Sequence, residues 1–167
     1  TETSRANCHP FRSGKWLFMH NGVIGGYQKI RRDLERLIPD SHYHNRTGTT
    51  DSELFFNLMF GFGIEDDPAQ AFSETIGAIL KVMKQSGVDE PFRMTAALAD
   101  GHTLYALRYS SNPEPPSLFW WPSRERLLIV SEPLDADGEH WREVPASHML
   151  VSEGHGDTAV LPFHVAA

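Results

Sequence analysis

Apolar residues follow two different rhythms along this chain. Trp16 to Met19 is a short apolar and aromatic run stopped by Asn21-Gly22, so it reads as a buried strand ending at a turn dipeptide. After Gly25-Gly26 the spacing becomes helical. Ile30, Leu34, Leu37 and Ile38 recur with charges between them, and Pro39 supplies the stop. Asp40 to Thr49 is polar and contains glycine, which predicts a loop. A second helix is expected from near Thr50, burying Leu54, Phe55, Leu58 and Met59 before Gly61 and Gly63 end it. A third is expected from about Pro68 to Gln85, with Phe72, Ile76, Ile79, Leu80 and Met83 on one side and Gly87 just beyond.

From Arg93 onward the spacing changes to that of strands. Met94 to Ala99 and Thr103 to Tyr109 flank Asp100-Gly101, a dipeptide favoured in tight hairpins. Asn112-Pro113-Glu114-Pro115-Pro116 reads as a rigid loop. Ser117 to Trp121, Leu127 to Val130, His148 to Ser152 and Thr158 to Leu161 read as further strands. Helices grouped together, followed by strands grouped together, predict layered α+β packing.

The chain has 167 residues, enough for one domain with a sizeable core, and a single domain over 1–167 is expected. Its 40% apolar and 22% charged residues are ordinary for a soluble protein. A net charge of −7 argues against a nucleic-acid surface, and Arg31-Arg32 is most simply a solvated helix face. No apolar stretch reaches the roughly twenty residues of a membrane span, and Thr1-Glu2-Thr3-Ser4-Arg5 lacks a signal peptide's apolar region. One cysteine cannot form an internal disulfide, so a reducing, cytoplasmic setting is the expectation. Of the nine histidines, His42-Tyr43-His44 would share a face if extended, but no third ligand has recognisable spacing, so no metal or other cofactor is expected.

Three runs carry candidate chemistry, each with a plain structural reading beside it. Asn21-Gly22 reads as a common turn. It also places an amide side chain beside an unobstructed backbone N–H, which is what an oxyanion hole requires. Thr50-Asp51-Ser52-Glu53 is a capping box, with Thr50 capping the helix and Glu53 reaching back, while Asp51 complements the helix dipole. In Asn7-Cys8-His9-Pro10-Phe11, Pro10 keeps His9 extended, so Cys8 and His9 point to opposite faces and are poorly placed as nucleophile and base. Cys8 is expected to be a small buried packing residue, and His9 to be structural or to support the site from behind rather than to be catalytic.

In order and spacing, Asn-Cys-His-Pro-Phe, Trp16-Leu17-Phe18-Met19-His20-Asn21-Gly22 and Thr50-Asp51-Ser52-Glu53 resemble the glutamine-amidotransferase domain of class II, an N-terminal-nucleophile hydrolase fold. Ser131-Glu132-Pro133-Leu134 and Trp141-Arg142-Glu143-Val144-Pro145 support the same resemblance, which spans Asn7 to about Pro145. It implies an αββα sandwich and hydrolysis of a glutamine or γ-glutamyl amide through a cysteinyl thioester. Asn21 and Gly22 would form the oxyanion hole and Asp51 would bind the substrate's α-ammonium. The wording of the motifs looks closest to the stand-alone branch, which includes γ-glutamyl hydrolases of thiol or ergothioneine metabolism.

In that family an N-terminal cysteine is the nucleophile, several tens of residues before the Asn-Cys-His-Pro-Phe run, with a substrate-gripping arginine between. This chain begins with Thr1. It is therefore expected to lack the first strands of the domain and to expose a sheet edge, its oligomeric state left open. Two alternatives stand beside hydrolysis: a non-catalytic binding or structural remnant of the fold, and Thr1 as nucleophile, for which the strand that would place it is missing.

Overall fold

The computed structural model describes residues 3–122, 126–134, 140–154 and 157–166. After a short 3₁₀ turn at Arg5–Asn7 come β1 (Phe11–Ser13), β2 (Trp16–Val23), α1 (Tyr27–Glu35), α2 (Asp40–Tyr43), α3 (Asp51–Gly61) and α4 (Pro68–Gln85). Then follow β3 (Arg93–Ala99), β4 (Thr103–Ser110), β5 (Phe119–Pro122), β6 (Leu127–Val130), β7 (Arg142–Glu143), β8 (His148–Glu153) and β9 (Asp157–Pro162). Among the described residues the strands form a six-stranded sheet in the order β1-β2-β3-β4-β8-β9 and a three-stranded sheet in the order β6-β5-β7, with antiparallel neighbours throughout. The fold is of the mixed α+β kind that the grouping of helices and strands predicts.

The period of two along β2 decides where the layers lie. Trp16, Phe18 and His20 are buried on one face, whereas Leu17, Met19 and Val23 on the other are 43%, 52% and 47% exposed. Phe18 has no exposed surface and stacks against Phe55 and Phe56 of α3, with ring centroids 5.7 and 5.4 Å away. Phe72 of α4 closes the same cluster, which continues into Met94, Leu98 and Leu107 of the large sheet. A second cluster, Ala106 and Leu150 against Leu118, Trp120 and Val144, packs the small sheet onto the opposite face. Helices, large sheet and small sheet are thus stacked in that order.

Several local expectations change. The strand does not stop at Asn21-Gly22. It pairs with β3 through Gly22 opposite Met94 and Val23 opposite Arg93, because a partner strand is available there and Gly22 leaves room for it. A Cβ on Gly22, whose φ is +152°, would lie 2.1 Å from the Arg93 carbonyl oxygen. The expected loop from Asp40 contains the short helix α2, since Pro39 presets the chain and its carbonyl accepts from the His42 and Tyr43 amides at 2.8 and 3.0 Å. His42 and His44 are therefore not neighbours on an extended face, and His42 stacks on Phe60 at 4.1 Å. Cys8 is exposed rather than buried: it closes the 3₁₀ turn, its thiol donates to the Ser4 carbonyl, and Asn7 turns inward instead. β1 had no separate signal in the hydrophobic pattern.

Among the described residues, no helix is long and apolar enough to cross a membrane. The two faces of β2 give a direct test of the layering. Phe18→Ala should cost about 3–5 kcal/mol by urea denaturation, and Leu17→Ala less than about 1 kcal/mol. Equal costs at the two positions would mean that the face assignment is wrong.

Candidate active site

The start of α3 is fixed by side-chain hydrogen bonds to backbone amides. Thr50 caps the helix, its hydroxyl accepting from the Glu53 amide at 3.1 Å. Glu53, only 3% exposed, does not return to Thr50 as a capping box would have it. Its carboxylate reaches further back and accepts from the amides of Thr47 and Gly48 at 2.7 and 2.8 Å. Gly48 fits there because it has no side chain: a Cβ would sit 2.4 Å from Asn7 Oδ1 and 2.6 Å from the Ala6 carbonyl. Asn7 Oδ1 accepts from the Thr49 amide at 2.8 Å, so the Asn-Cys-His-Pro-Phe run is stitched to the helix start through its asparagine.

Asp51 then joins this helix to the end of β2. Its Oδ2 accepts from the Ile24 amide and its Oδ1 from the Ser52 amide, both at 3.0 Å. One residue on, Ser52 Oγ shares a 2.8 Å hydrogen bond with His20 Nδ1. Gly22 lies between these two tethers. Beside them the Tyr27 hydroxyl donates to the Thr50 carbonyl at 3.2 Å and accepts from Arg46 Nη2 at 2.8 Å. Arg46 also pairs with Glu35, which takes Arg31 at 2.7 Å as well. Burial pushes the Tyr27 hydroxyl up, against the opposing pull of Arg46.

Two cavities adjoin the strand end. The larger, of about 550 Å³, is lined by Gly22, Ile24, Tyr27, Lys29, Asp51 and Glu90 among others. The smaller, of about 170 Å³, is lined by His9, Met19, His20, Asn21 and residues of β3, together with Ile129, Val130 and Ser131. Gly22 and Asp51 therefore share one cleft, while Asn21, the neighbour of Gly22 on the strand, lines the adjoining cavity. Among the described residues the Asn21 side chain makes no hydrogen bond, and its carbonyl accepts from Thr95 Oγ1 at 3.2 Å. Cys8 lines neither cavity, and Thr1 lies outside the described residues. No group of three or more His, Cys, Asp or Glu side chains suited to a metal occurs among the described residues.

His20 is the site residue that the motif-based reading passes over. It is 7% exposed, and its Nε2 has no hydrogen-bond partner among the described residues. Burial draws its pKa down to about 4, against the upward pull of the Asp51 carboxylate and the Arg93 backbone. His9 is lowered too, again chiefly by burial. A signal for His20 did exist, because it continues the buried alternation of Trp16 and Phe18 and is thus a polar residue at a core position.

No protein-family model matches the chain. It is 38% identical to a solved structure described as a glutamine aminotransferase class-II domain protein from Silicibacter pomeroyi. The two superpose with a TM-score of 0.90 over 99% of this chain and 74% of that one. A probable glutamine amidotransferase of Saccharomyces cerevisiae, DUG3, is 28% identical over 88% of this chain. The match spans 52% of that yeast protein, about half its length. A predicted glutamine amidotransferase from Pseudomonas aeruginosa, 18% identical with a TM-score of 0.53, shares the fold. So does the glutamine phosphoribosylpyrophosphate amidotransferase of B. subtilis, at 16% and 0.59.

The His20 environment sets a pH dependence whose sign follows from its direction of shift. Between about pH 6.5 and 4 the unfolded chain binds the imidazole proton and the folded chain does not. The His20 contribution to stability is therefore whole above the unfolded value and is lost as pH falls toward about 4. The expected loss is on the order of 3 kcal/mol. Denaturation of the wild type and His20→Asn across this range should give a steeper decline for the wild type. Parallel declines would contradict the assignment.

Proposed function

Since this chain belongs to the class II glutamine amidotransferase domain proteins, we propose that its larger cleft takes a glutamine or γ-glutamyl group and that the site hydrolyses the side-chain amide. The single observation that carries this reading is that Gly22 and Asp51, far apart in sequence, line one cleft at a strand end tied to a helix start. The Asp51 oxygens each accept one backbone N–H and keep lone pairs for the substrate's α-ammonium. The Gly22 N–H and the uncommitted Asn21 amide would donate to the carbonyl oxygen as the carbon becomes tetrahedral, with the reacting carbon at the strand end between the two cavities. The αββα arrangement and a nucleophilic cysteine supplied by residues preceding Thr1 belong to the same reading.

In that reading the cysteine thiolate attacks the amide carbon, and the carbonyl electron pair moves onto oxygen. Collapse of the intermediate expels ammonia, protonated by the nucleophile's own amine, and leaves a γ-glutamyl thioester. Water then attacks the thioester, releasing the free carboxylate and restoring the thiol. Negative charge develops on the oxygen in each addition, so the donors at 21 and 22 act mainly in the transition states. Asp51 holds an amine whose charge does not change, so it contributes to binding and orientation.

Kinetics separate these roles. In a form of the protein that carries the nucleophile, Asn21→Ala should lower kcat by roughly 10²–10³-fold. Asp51→Asn keeps an acceptor for the Ile24 amide but removes the charge, so KM for glutamine or a γ-glutamyl dipeptide should rise while the melting temperature changes little. Normal KM and kcat in Asp51→Asn would reduce Asp51 to a structural joint. The 167-residue chain alone should show no turnover, because neither cavity is lined by a cysteine. Glutamine turnover lost on Thr1→Ala would instead make Thr1 the nucleophile.

A further inference from the structure

We propose that His20 is a positioning residue that holds the Asn21-Gly22 strand end against the start of α3, a role that rests on reading the larger cleft as the amide site. Residues 20 and 22 lie on the same face of β2, and the position a Gly22 Cβ would take is 2.8 Å from His20 Nε2. The ring tip thus lies on the side of the Gly22 backbone where a side chain would otherwise project. At its other nitrogen the ring is anchored to Ser52, the residue after Asp51.

Two bonds to α3, His20 to Ser52 from within β2 and Ile24 to Asp51 from the residue just past it, bracket Gly22 on either side. A strand end held at one point can pivot about it, and one held on both sides of the critical residue cannot. Because the oxyanion donors and the amine-binding carboxylate lie on opposite sides of this joint, its rigidity sets the distance over which a γ-glutamyl group is stretched. Misplacement of about 1 Å at such a distance is enough to cost large factors in rate. The ring acts through its bond to Ser52 and its place beneath the Gly22 backbone, and it is buried there.

Hydrogen exchange on the 167-residue chain tests the clamp without needing turnover. The Ile24 amide, bonded to Asp51, is the reporter, with the core amides of Phe18 and Leu58 as internal references. Ser52→Ala and His20→Phe should each speed exchange at Ile24 about tenfold relative to those references. The double variant should exchange no faster than either single one, since both remove the same bond. His20→Asn, which keeps an acceptor near the place of Nδ1, should restore most of the protection. Ser52→Ala leaves the ring in place and keeps the test readable if His20→Phe does not fold.

In a form carrying the nucleophile, His20→Phe should lower kcat about tenfold with KM within about twofold, and His20→Asn should recover most of it. Unchanged Ile24 exchange in both single variants, or additive effects in the double, would overturn the proposal. So would normal kcat in His20→Phe. If the exchange pattern holds but the wild type with its nucleophile turns over neither glutamine nor γ-glutamyl dipeptides, the functional reading fails while the clamp stands.

Discussion

The hydrogen bond from the Ile24 amide to the Asp51 carboxylate ties the chain just past the second strand to the start of the third helix, across 27 residues of sequence. Everything proposed for the site depends on that joint. Ile24 is fully buried, so its N–H requires a partner, and Asp51 provides the only one described. The surrounding contacts keep the carboxylate in place: Thr50 caps the helix, Glu53 gathers the Thr47 and Gly48 amides, and Asn7 holds Thr49.

The rest of the architecture is what brings those two ends together. Phe18, fixed among Phe55, Phe56 and Phe72, sets the second strand at a constant height above the third and fourth helices. Because the alternation along the strand is strict, the same packing that buries Phe18 places His20 under Gly22 and leaves Asn21 on the other face. Core and site are therefore consequences of one register. Glycine at 22 satisfies two demands together, admitting the Arg93 carbonyl of the neighbouring strand and the His20 ring.

Much of this was legible in the sequence, and the failures have physical causes. The start of the third helix was legible near Thr50, whose hydroxyl does cap it, although Glu53 does not return to Thr50; the Asp100-Gly101 hairpin was likewise marked, Asp100 accepting from the amides of His102 and Thr103. Asn21-Gly22 looked like a turn because local chemistry favours one, but pairing with a strand some seventy residues on overrode it. Cys8 was misplaced because its type is usually buried, whereas here it closes an exposed 3₁₀ turn. Asn21, Gly22 and Asp51 stood out through motif resemblance, and their surroundings did not. The Glu53 contacts and the Ser52–His20 bond depend on distances that no spacing rule encodes.

The central claim is that the strand end and the helix start form one cleft that holds a γ-glutamyl group at both ends. A crystal structure of the protein soaked with L-glutamate measures this most directly. The expected result is the ligand in the larger cleft, its α-ammonium within hydrogen-bond distance of the Asp51 carboxylate and a γ-carboxylate oxygen within reach of the Gly22 N–H. Glutamate bound elsewhere, or bound in the cleft with its ammonium turned away from Asp51, would contradict it.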